Sequence, residues 1–324
     1  MSKFSNMFRL PGAFLQLIRW PNLFFIALTQ SLFYFCILMP SLHNSRYIDY
    51  YDGDSLLPDR FWLLSLSSVL IAAAGYIIND YFDLDIDRVN KPSRLVVDRI
   101  IKRRWTIVWH WVFSGIGVVL GFYVSWKVHH IVVGLANLGC VVLLWFYSTT
   151  FKRKLLIGNV IISLLTAWVI LVLYISDFSW QIFHNPDFHQ RFARAFKFNV
   201  LYAGFAFIIS LVREVVKDIE DIEGDIRYGC RTMPIVWGVN TAKVFVATWL
   251  VVLIGSLIVI QFYVLQYGWW PVVVYCICFL ILPLAWVLRR LYTARVTADY
   301  HFLSNLIKAI MLMGILSMLL IEII

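Results

Sequence analysis

An apolar run that ends in four aspartates decides the fold of this chain: residues 61–88 read FWLLSLSSVLIAAAGYIINDYFDLDIDR. Residues 61–79 carry no charged side chain, and a helix of about 20 apolar residues crosses the roughly 30 Å hydrocarbon core of a bilayer. The charges begin at Asp80 and continue at Asp83, Asp85 and Asp87. The stretch therefore predicts a membrane-spanning helix with an acidic group at one end.

The composition of the whole chain agrees with a lipid environment. The 324 residues are 61% hydrophobic and 15% charged, whereas an ordinary soluble domain is about 25% charged, and the mean hydropathy is +0.78. This argues against a soluble globule, intrinsic disorder or a nucleic-acid-binding protein. The net charge of +9 fits a membrane protein, whose excess Lys and Arg flank the cytoplasmic face.

Apolar runs of membrane-spanning length predict an all-α polytopic membrane protein with about nine transmembrane helices. The predicted spans are 22–40, 61–79, 105–126, 129–147, 158–176, 196–213, 242–265, 270–288 and 303–321. Spans three and four are so close that a tight helical hairpin joins them. Residues 1–21 are predicted to form an amphipathic lead-in, with Arg9 and Arg19 among the headgroups and no secretory signal peptide.

The basic residues set the predicted orientation. Of the 28 Lys and Arg residues, 22 lie before span one or in 80–104, 152–154, 213–243 and 289–308, and 6 lie in the opposite loops. By the positive-inside rule, the N-terminus and these loops are cytoplasmic. We expect an integral protein of the cell (inner) membrane, with active-site loops at 80–104 and 214–241.

Ten of the nineteen acidic residues fall in two short windows, 80–87 and 214–225. Both contain the spacing i, i+3, i+7, which on an α-helix keeps three carboxylates within roughly a 60° arc. The two triplets lie 138 residues apart and are Asp80/Asp83/Asp87 and Asp218/Asp221/Asp225. Each is expected to form one acidic helix face.

Such faces need a compensating cation because like charges at these spacings repel one another. Carboxylate oxygens suit Mg²⁺, which commonly binds one or two carboxylates together with a substrate phosphate. Basic residues that could bind a phosphate lie nearby, namely Arg88, Lys91, Arg94, Lys152, Arg153, Lys154, Arg227 and Arg231. Solvated loop charge is the alternative, but it does not explain why the same spacing occurs twice.

A duplicated four-helix unit would explain the repeated triplet. Spans one to four and five to eight would then be two similar halves around a central cavity, with span nine added. The whole chain, 1–324, is expected to be a single transmembrane domain.

These motifs resemble the UbiA superfamily of intramembrane prenyltransferases. The run from Asn79 to Arg88 is similar to the NDxxDxxxD signature of that superfamily, and the run from Asp218 to Asp225 is similar to its DxxDxxxD motif. Residues 147–159, with Tyr147 and Ser148, resemble the loop after the fourth helix, and Arg19 with Asn22 resembles a first-helix pair. Residues 213–225 are most similar to the branch that alkylates geranylgeranylglyceryl phosphate.

The resemblance implies transfer of a prenyl group from a prenyl diphosphate to a lipid-soluble acceptor, with Mg²⁺ as the cofactor. Membrane lipids are the expected surroundings, and no nucleic acid or obligate protein partner is expected. The six aspartates of the two triplets would bind metal, and Asn79 and Tyr147 would orient the reacting groups. The implied diphosphate- or acceptor-binding residues are Arg88, Lys91, Arg94, Lys152, Arg231 and Asn22.

Two alternatives remain at this point. Within the enzyme class, the acceptor could be geranylgeranylglyceryl phosphate, which would give an ether lipid, or an aromatic quinone precursor of the hydroxybenzoate or dihydroxynaphthoate type. Outside that class, a secondary transporter also has internal repeats and clustered ionisable residues. Its charges should lie near the bilayer midplane, whereas here they lie at the ends of the spans.

Overall fold

A computed structural model describes residues 9–42, 56–90, 95–177 and 186–321. Nine helices in these ranges are long and apolar enough to cross a membrane. Apart from an isolated bridge between Val97 and Ile101, the described ranges contain no β-structure. The helices are α1 (Arg9–Leu17), α2 (Trp20–Ser41), α3 (Pro58–Asn90), α4 (Arg103–Lys127), α5 (Ile131–Thr149), α6 (Ile157–Ser176), α7 (Pro186–Glu220), α8 (Ile222–Arg227), α9 (Met233–Val236), α10 (Val239–Leu265), α11 (Trp270–Thr293) and α12 (Thr297–Leu320).

The nine predicted spans correspond to α2–α7 and α10–α12, so the predicted all-α membrane fold is confirmed. The largest differences are at the ends of α3 and α7. Helix α3 continues to Asn90, so the first part of the predicted active-site loop 80–104 is helical and carries the first acidic window. Helix α7 extends from Pro186 to Glu220, beyond 196–213 at both ends. A charged residue ends the apolar run but does not interrupt the i→i−4 hydrogen bonds of a helix.

The chain divides into two compact units. The first unit comprises Met1–Gln30, Asp49–Lys152 and Ile175–Ser179, and the second comprises the remaining segments. The division after Lys152 falls at the predicted boundary between the two four-helix halves. That the halves arose by duplication around a central cavity stays a prediction.

In the first unit, α3 packs against both α4 and α5, and small residues let the helices approach closely. Ser67 Oγ on α3 donates a hydrogen bond to the Gly117 carbonyl on α4 (2.6 Å), and Asn137 Nδ2 on α5 donates to Ser67 Oγ (3.1 Å). All three residues are buried. Small residues and buried polar contacts are the usual means of joining helices in lipid, where the hydrophobic effect does not drive helix association.

The described residues include the predicted hairpin between spans three and four and part of the predicted lead-in. Helix α4 ends at Lys127 and α5 begins at Ile131, so the predicted tight hairpin is confirmed. In the lead-in, α1 covers Arg9–Leu17, and residues 1–8 lie outside the described residues. Ala13 and Leu17 of α1 are buried in a cluster that includes Ile77 of α3.

In the second unit, α7, α10, α11 and α12 share one core, which includes Val212, Leu250, Leu284 and Ile307. Helix α7 also makes polar and close contacts with α12. The Tyr202 hydroxyl lies 2.9 Å from Ser317 Oγ, and a Cβ added at Gly314 would lie 2.7 Å from Phe205 Cε1. These two contacts hold α7 against α12 at Tyr202 and Phe205.

We predict that Gly117→Ala destabilises the protein by about 1–3 kcal/mol, the usual cost of overpacking. Its added Cβ would lie 2.8 Å from Ile71 Cγ1 and 3.2 Å from the Ser67 carbonyl oxygen. Gly115→Ala on the same helix is the matched control, since nothing lies within 4 Å of its added Cβ. The free energy of unfolding in mixed micelles should fall for Gly117→Ala alone. An equal effect at both positions would contradict close packing between α3 and α4.

Candidate active site

The first acidic motif lies on the last turns of α3. Asp80, Asp83 and Asp87 are all helical and partly buried. Because α3 is continuous through this motif, the i, i+3, i+7 spacing puts the three residues on one face. The single acidic face predicted for this triplet is therefore present.

Asp80 is paired with Arg19, at the junction of α1 and α2. Arg19 Nη2 lies 2.6 Å from Asp80 Oδ1, and the guanidinium lies 5.1 Å from the centre of the Tyr76 ring. The Asp80 carboxylate raises the pKa of Arg19. Arg19, for which a position among the lipid headgroups stays a prediction, thus binds the first acidic motif. Arg19 has a φ of 52°, and its carbonyl accepts a hydrogen bond from the Asn22 N–H (2.8 Å).

Asp83 is paired with Lys152, which follows α5. The ammonium of Lys152 donates to Asp83 Oδ1 and lies 3.4 Å from Asn79 Oδ1. The side chains of Lys152 and Asp83 are only 10% and 15% exposed, so this ion pair is largely shielded from solvent. Tyr147 and Ser148 lie in the last turn of α5, and the buried Ser148 Oγ has no hydrogen-bond partner.

The remaining basic residues of the first motif do not form one group. Arg88 binds Asp85 at 2.9 Å and approaches Asp98 at 3.7 Å, and all three side chains are more than half exposed. Arg88 therefore neutralises surface carboxylates. Lys91 and Arg94, which we predicted to bind diphosphate, lie outside the described residues.

The second acidic motif lies where α7 ends. Asp218 is on α7, Asp221 caps the start of α8 with φ −93° and ψ 7°, and Asp225 is within α8. The amide hydrogen bonds continue across the junction, from Asp221 to the Lys217 carbonyl (2.8 Å) and from Asp225 to the Asp221 carbonyl (3.2 Å). The helix is interrupted at Asp221. The prediction that this triplet lies on one regular helix is therefore wrong.

Asp218 is bound by Asn159, near the start of α6. Asn159 Nδ2 donates to Asp218 Oδ2 over 2.8 Å, and Asn159 is buried. Asn159 belonged to the segment that resembles the superfamily, but we had not assigned it to the site. The two residues are 59 positions apart in the sequence. The spacing of residues within one helix could not indicate this contact.

A group of charges lies on α7 about one turn before Asp218. Glu214 is paired with Arg213 at 2.9 Å and is 3.8 Å from Lys217. The Nε atom of Arg213 is buried and has no hydrogen-bond partner. This helix end therefore carries a donor that can still bind an acceptor.

Arg231 connects the segment after α8 to the loop before α6. Its main-chain N–H donates to the Arg153 carbonyl over 2.8 Å, and its side chain is exposed. The neighbouring Thr232 is buried, and its hydroxyl has no hydrogen-bond partner. Gly229, with φ 69°, supplies the left-handed turn that precedes this segment.

The donor chemistry fits Mg²⁺ together with a phosphate-containing ligand. Within the described ranges, no three His, Cys, Asp or Glu side chains are grouped closely enough to hold a metal ion by themselves. The acidic motifs supply the hard oxygen ligands that Mg²⁺ prefers, and Mg²⁺ usually completes its shell with water and substrate phosphate. Among the buried atoms without a partner in the described residues are Ser148 Oγ in the first unit and Thr232 Oγ1 and Arg213 Nε in the second. Each belongs to a group that can donate to an anion.

In the part of the chain that the structure describes, nine apolar helices, two of which end in acidic motifs, define a polytopic helical membrane protein. A profile of the UbiA prenyltransferase family matches residues 50–312. The chain therefore belongs to the UbiA prenyltransferase family and is an integral membrane protein. The resemblance of its two motifs to that superfamily is confirmed.

Eight similar curated proteins carry the same name. A digeranylgeranylglyceryl phosphate synthase of Methanosphaera stadtmanae is 30% identical over 178 residues, which are 55% of this chain and 58% of that protein. One of Methanothermobacter thermautotrophicus is 29% identical over 202 residues, which are 61% of this chain and 64% of that protein. The match therefore spans about three fifths of the length of these relatives.

Solved structures share the fold. A structure from work on digeranylgeranylglyceryl phosphate synthase in membranes superposes with a TM-score of 0.61 at 22% identity, covering 96% of this chain and 98% of that one. A UbiA homologue from Archaeoglobus fulgidus bound to DMAPP and Mg²⁺ has a TM-score of 0.55 at 15% identity, covering 93% and 98%. At these identities the likeness establishes the fold.

We predict that Lys152→Met lowers the free energy of unfolding by about 2 kcal/mol, because Asp83 would lose a charge-assisted hydrogen bond in a shielded position. Arg153→Met is the matched control, since it removes the same charge from the adjacent, exposed side chain. Unfolding in mixed micelles would measure both variants. If Arg153→Met lowered stability as much as Lys152→Met, the Asp83 pair would not be the source of the effect.

Proposed function

We propose that this protein is a Mg²⁺-dependent prenyltransferase, which transfers a prenyl group from a prenyl diphosphate to a lipid-soluble acceptor. The observation that carries the proposal is the pair of acidic motifs, each beside cationic side chains at the end of an apolar helix, in a member of the UbiA prenyltransferase family. A prenyl diphosphate has matching chemistry, with a charged headgroup and an apolar tail.

The proposed metal ligands are the aspartates of the two triplets, Asp80, Asp83, Asp87, Asp218, Asp221 and Asp225. Bound Mg²⁺ would neutralise the diphosphate as a leaving group. Homologues from Archaeoglobus fulgidus have been solved with DMAPP or GPP and Mg²⁺, which supports this choice of cofactor and substrate class.

The cationic side chains would bind the diphosphate. Lys152 has three N–H donors, so it can contact a phosphate oxygen while it remains bound to Asp83 and Asn79. We assign the same role to Arg231, and also to Lys91 and Arg94. Arg88, Asn22 and Tyr147 stay predicted binding or orienting residues.

The reaction breaks the bond between C1 of the prenyl group and the diphosphate oxygen, and the diphosphate leaves with the electron pair. An acceptor oxygen or ring carbon then bonds to C1, and the acceptor loses a proton. The apolar helices would exclude water, which otherwise competes for the allylic carbon.

The acceptor we propose is geranylgeranylglyceryl phosphate, which would yield an ether lipid. The support is the shared name of the relatives at about 30% identity. The alternative is an aromatic quinone precursor, which would yield a C-prenylated ring. The excess of Lys and Arg beside both motifs also leads us to propose that the N-terminus and the active-site loops face the cytoplasm of the cell (inner) membrane.

We predict that Asp83→Asn and Asp221→Asn each lower prenyl transfer on the order of 100-fold, as expected when an electrostatic contact to the reacting group is lost. Asp59→Asn is the matched control, because Asp59 is exposed at the opposite end of α3. Purified protein would be assayed with labelled geranylgeranyl diphosphate and Mg²⁺, with geranylgeranylglyceryl phosphate and aromatic acids as parallel acceptors.

Product from the glycerol phosphate acceptor alone supports the ether-lipid assignment. Product from an aromatic acid alone would assign the protein to the enzymes that prenylate quinone precursors. The prenyltransferase proposal would still hold. Absence of product and of released diphosphate with every acceptor contradicts the proposed function.

A further inference from the structure

Glu220 is an acidic residue of the second window that lies outside the i, i+3, i+7 triplet. It is the last residue of α7, directly before the interruption at Asp221. Its side chain is only 11% exposed. A carboxylate this shielded needs a partner, and its position beside Asp218 and Asp221 makes the identity of that partner relevant to the site.

The partner of Glu220 is on the last membrane span. His301 of α12 places Nδ1 2.7 Å from Glu220 Oε1, and its Nε2 lies 3.1 Å from Asn305 Nδ2. An ionised carboxylate only accepts hydrogen bonds, so Nδ1–H donates to Glu220 and Nε2 accepts from Asn305. Both ring nitrogens are therefore engaged, and this network assigns the tautomer and orientation of the ring.

We propose that His301 is a positioning residue that acts through Glu220, and that Glu220 anchors the end of α7 rather than binding metal. This inference rests on the proposed function of the second acidic motif. Helix ends fray unless they are tied down, and α7 ends between two of the proposed ligands. The contact from α12 fixes that end, so Asp218 and Asp221 need less reordering when metal and diphosphate bind.

A contact elsewhere between α7 and α12 provides a control that separates this anchor from general packing between the two helices. The same two helices share a second polar contact, between Tyr202 and Ser317 at 2.9 Å. Tyr202 precedes Glu220 by five helical turns, roughly 27 Å along α7. Tyr202→Phe thus removes one hydrogen bond between the same helices at a distance from the acidic motif, and it is the matched control for His301 variants.

The first experiment measures the Mg²⁺ concentration for half-maximal prenyl transfer and, separately, kcat at saturating Mg²⁺. We expect His301→Ala to raise the half-saturating Mg²⁺ concentration about 10-fold, comparable to the lower end of the losses seen when a contact that orients metal ligands is removed, with a much smaller change in kcat. His301→Asn, whose Nδ2 amide takes the place of Nδ1 and can donate to Glu220, should restore most of the loss. Tyr202→Phe should match the wild type. Unchanged Mg²⁺ dependence in His301→Ala overturns the proposal.

A double-mutant cycle distinguishes between two roles of Glu220, anchoring the end of α7 and binding metal. If Glu220 acts only through His301, then Glu220→Ala, His301→Ala and the double variant should show the same shift in Mg²⁺ dependence, because contacting residues are not additive. If Glu220 binds metal, Glu220→Ala should shift the Mg²⁺ dependence more than His301→Ala does. That result overturns the proposal.

Amide hydrogen exchange tests the anchor without any turnover. Residues 218–227 should exchange faster in His301→Ala than in the wild type or Tyr202→Phe, with the protein free of substrate. Equal exchange in all three overturns the proposal. If the wild type transfers no prenyl group, the proposed function fails on its own, and the exchange measurement still decides whether His301 holds the end of α7.

Discussion

Carboxylates crowded at the ends of apolar helices repel one another, and the arrangement of the polar residues follows from how this repulsion is offset. In the first unit, Arg19 binds Asp80 and Lys152 binds Asp83. In the second unit, Asn159 binds Asp218. These partners come from other helices or loops, so the acidic motifs also fix the positions of the segments around them. An acidic motif balanced in this way can exchange part of its internal pairing for metal and phosphate.

The apolar parts of the helices determine where the charged ends lie. Helix α3 is held by close contacts at small residues, with Ser67 bonded to α4 and approached by Asn137 of α5. Because α3 is an unbroken helix from Pro58 to Asn90, packing in its apolar half sets the direction of its acidic face. Helix α7 differs, since it ends within its motif and depends on contacts such as that of Glu220 with His301.

Most of the fold could be predicted from the sequence, because membrane spans are long, apolar and uncharged. The predicted ends of α3 and α7 were wrong because hydropathy detects where the apolar run stops, whereas backbone hydrogen bonding decides where a helix stops. Side-chain spacing placed the acids of α3 on one face, but could not show the interruption at Asp221. Nor could it show the partners of Asp80 and Asp218, which are 61 and 59 residues away.

The proposed function requires that the two acidic motifs bind divalent cations together with a diphosphate. Counting Mn²⁺ ions bound per chain by electron paramagnetic resonance, with and without inorganic diphosphate, tests it most directly, since Mn²⁺ accepts the same oxygen ligands as Mg²⁺. Two Mn²⁺ ions should bind tightly in the presence of diphosphate, and one of them should be lost in a variant that lacks the carboxylates of either motif. Mn²⁺ binding that does not depend on diphosphate, or that persists when the carboxylates of both motifs are removed, would contradict this requirement.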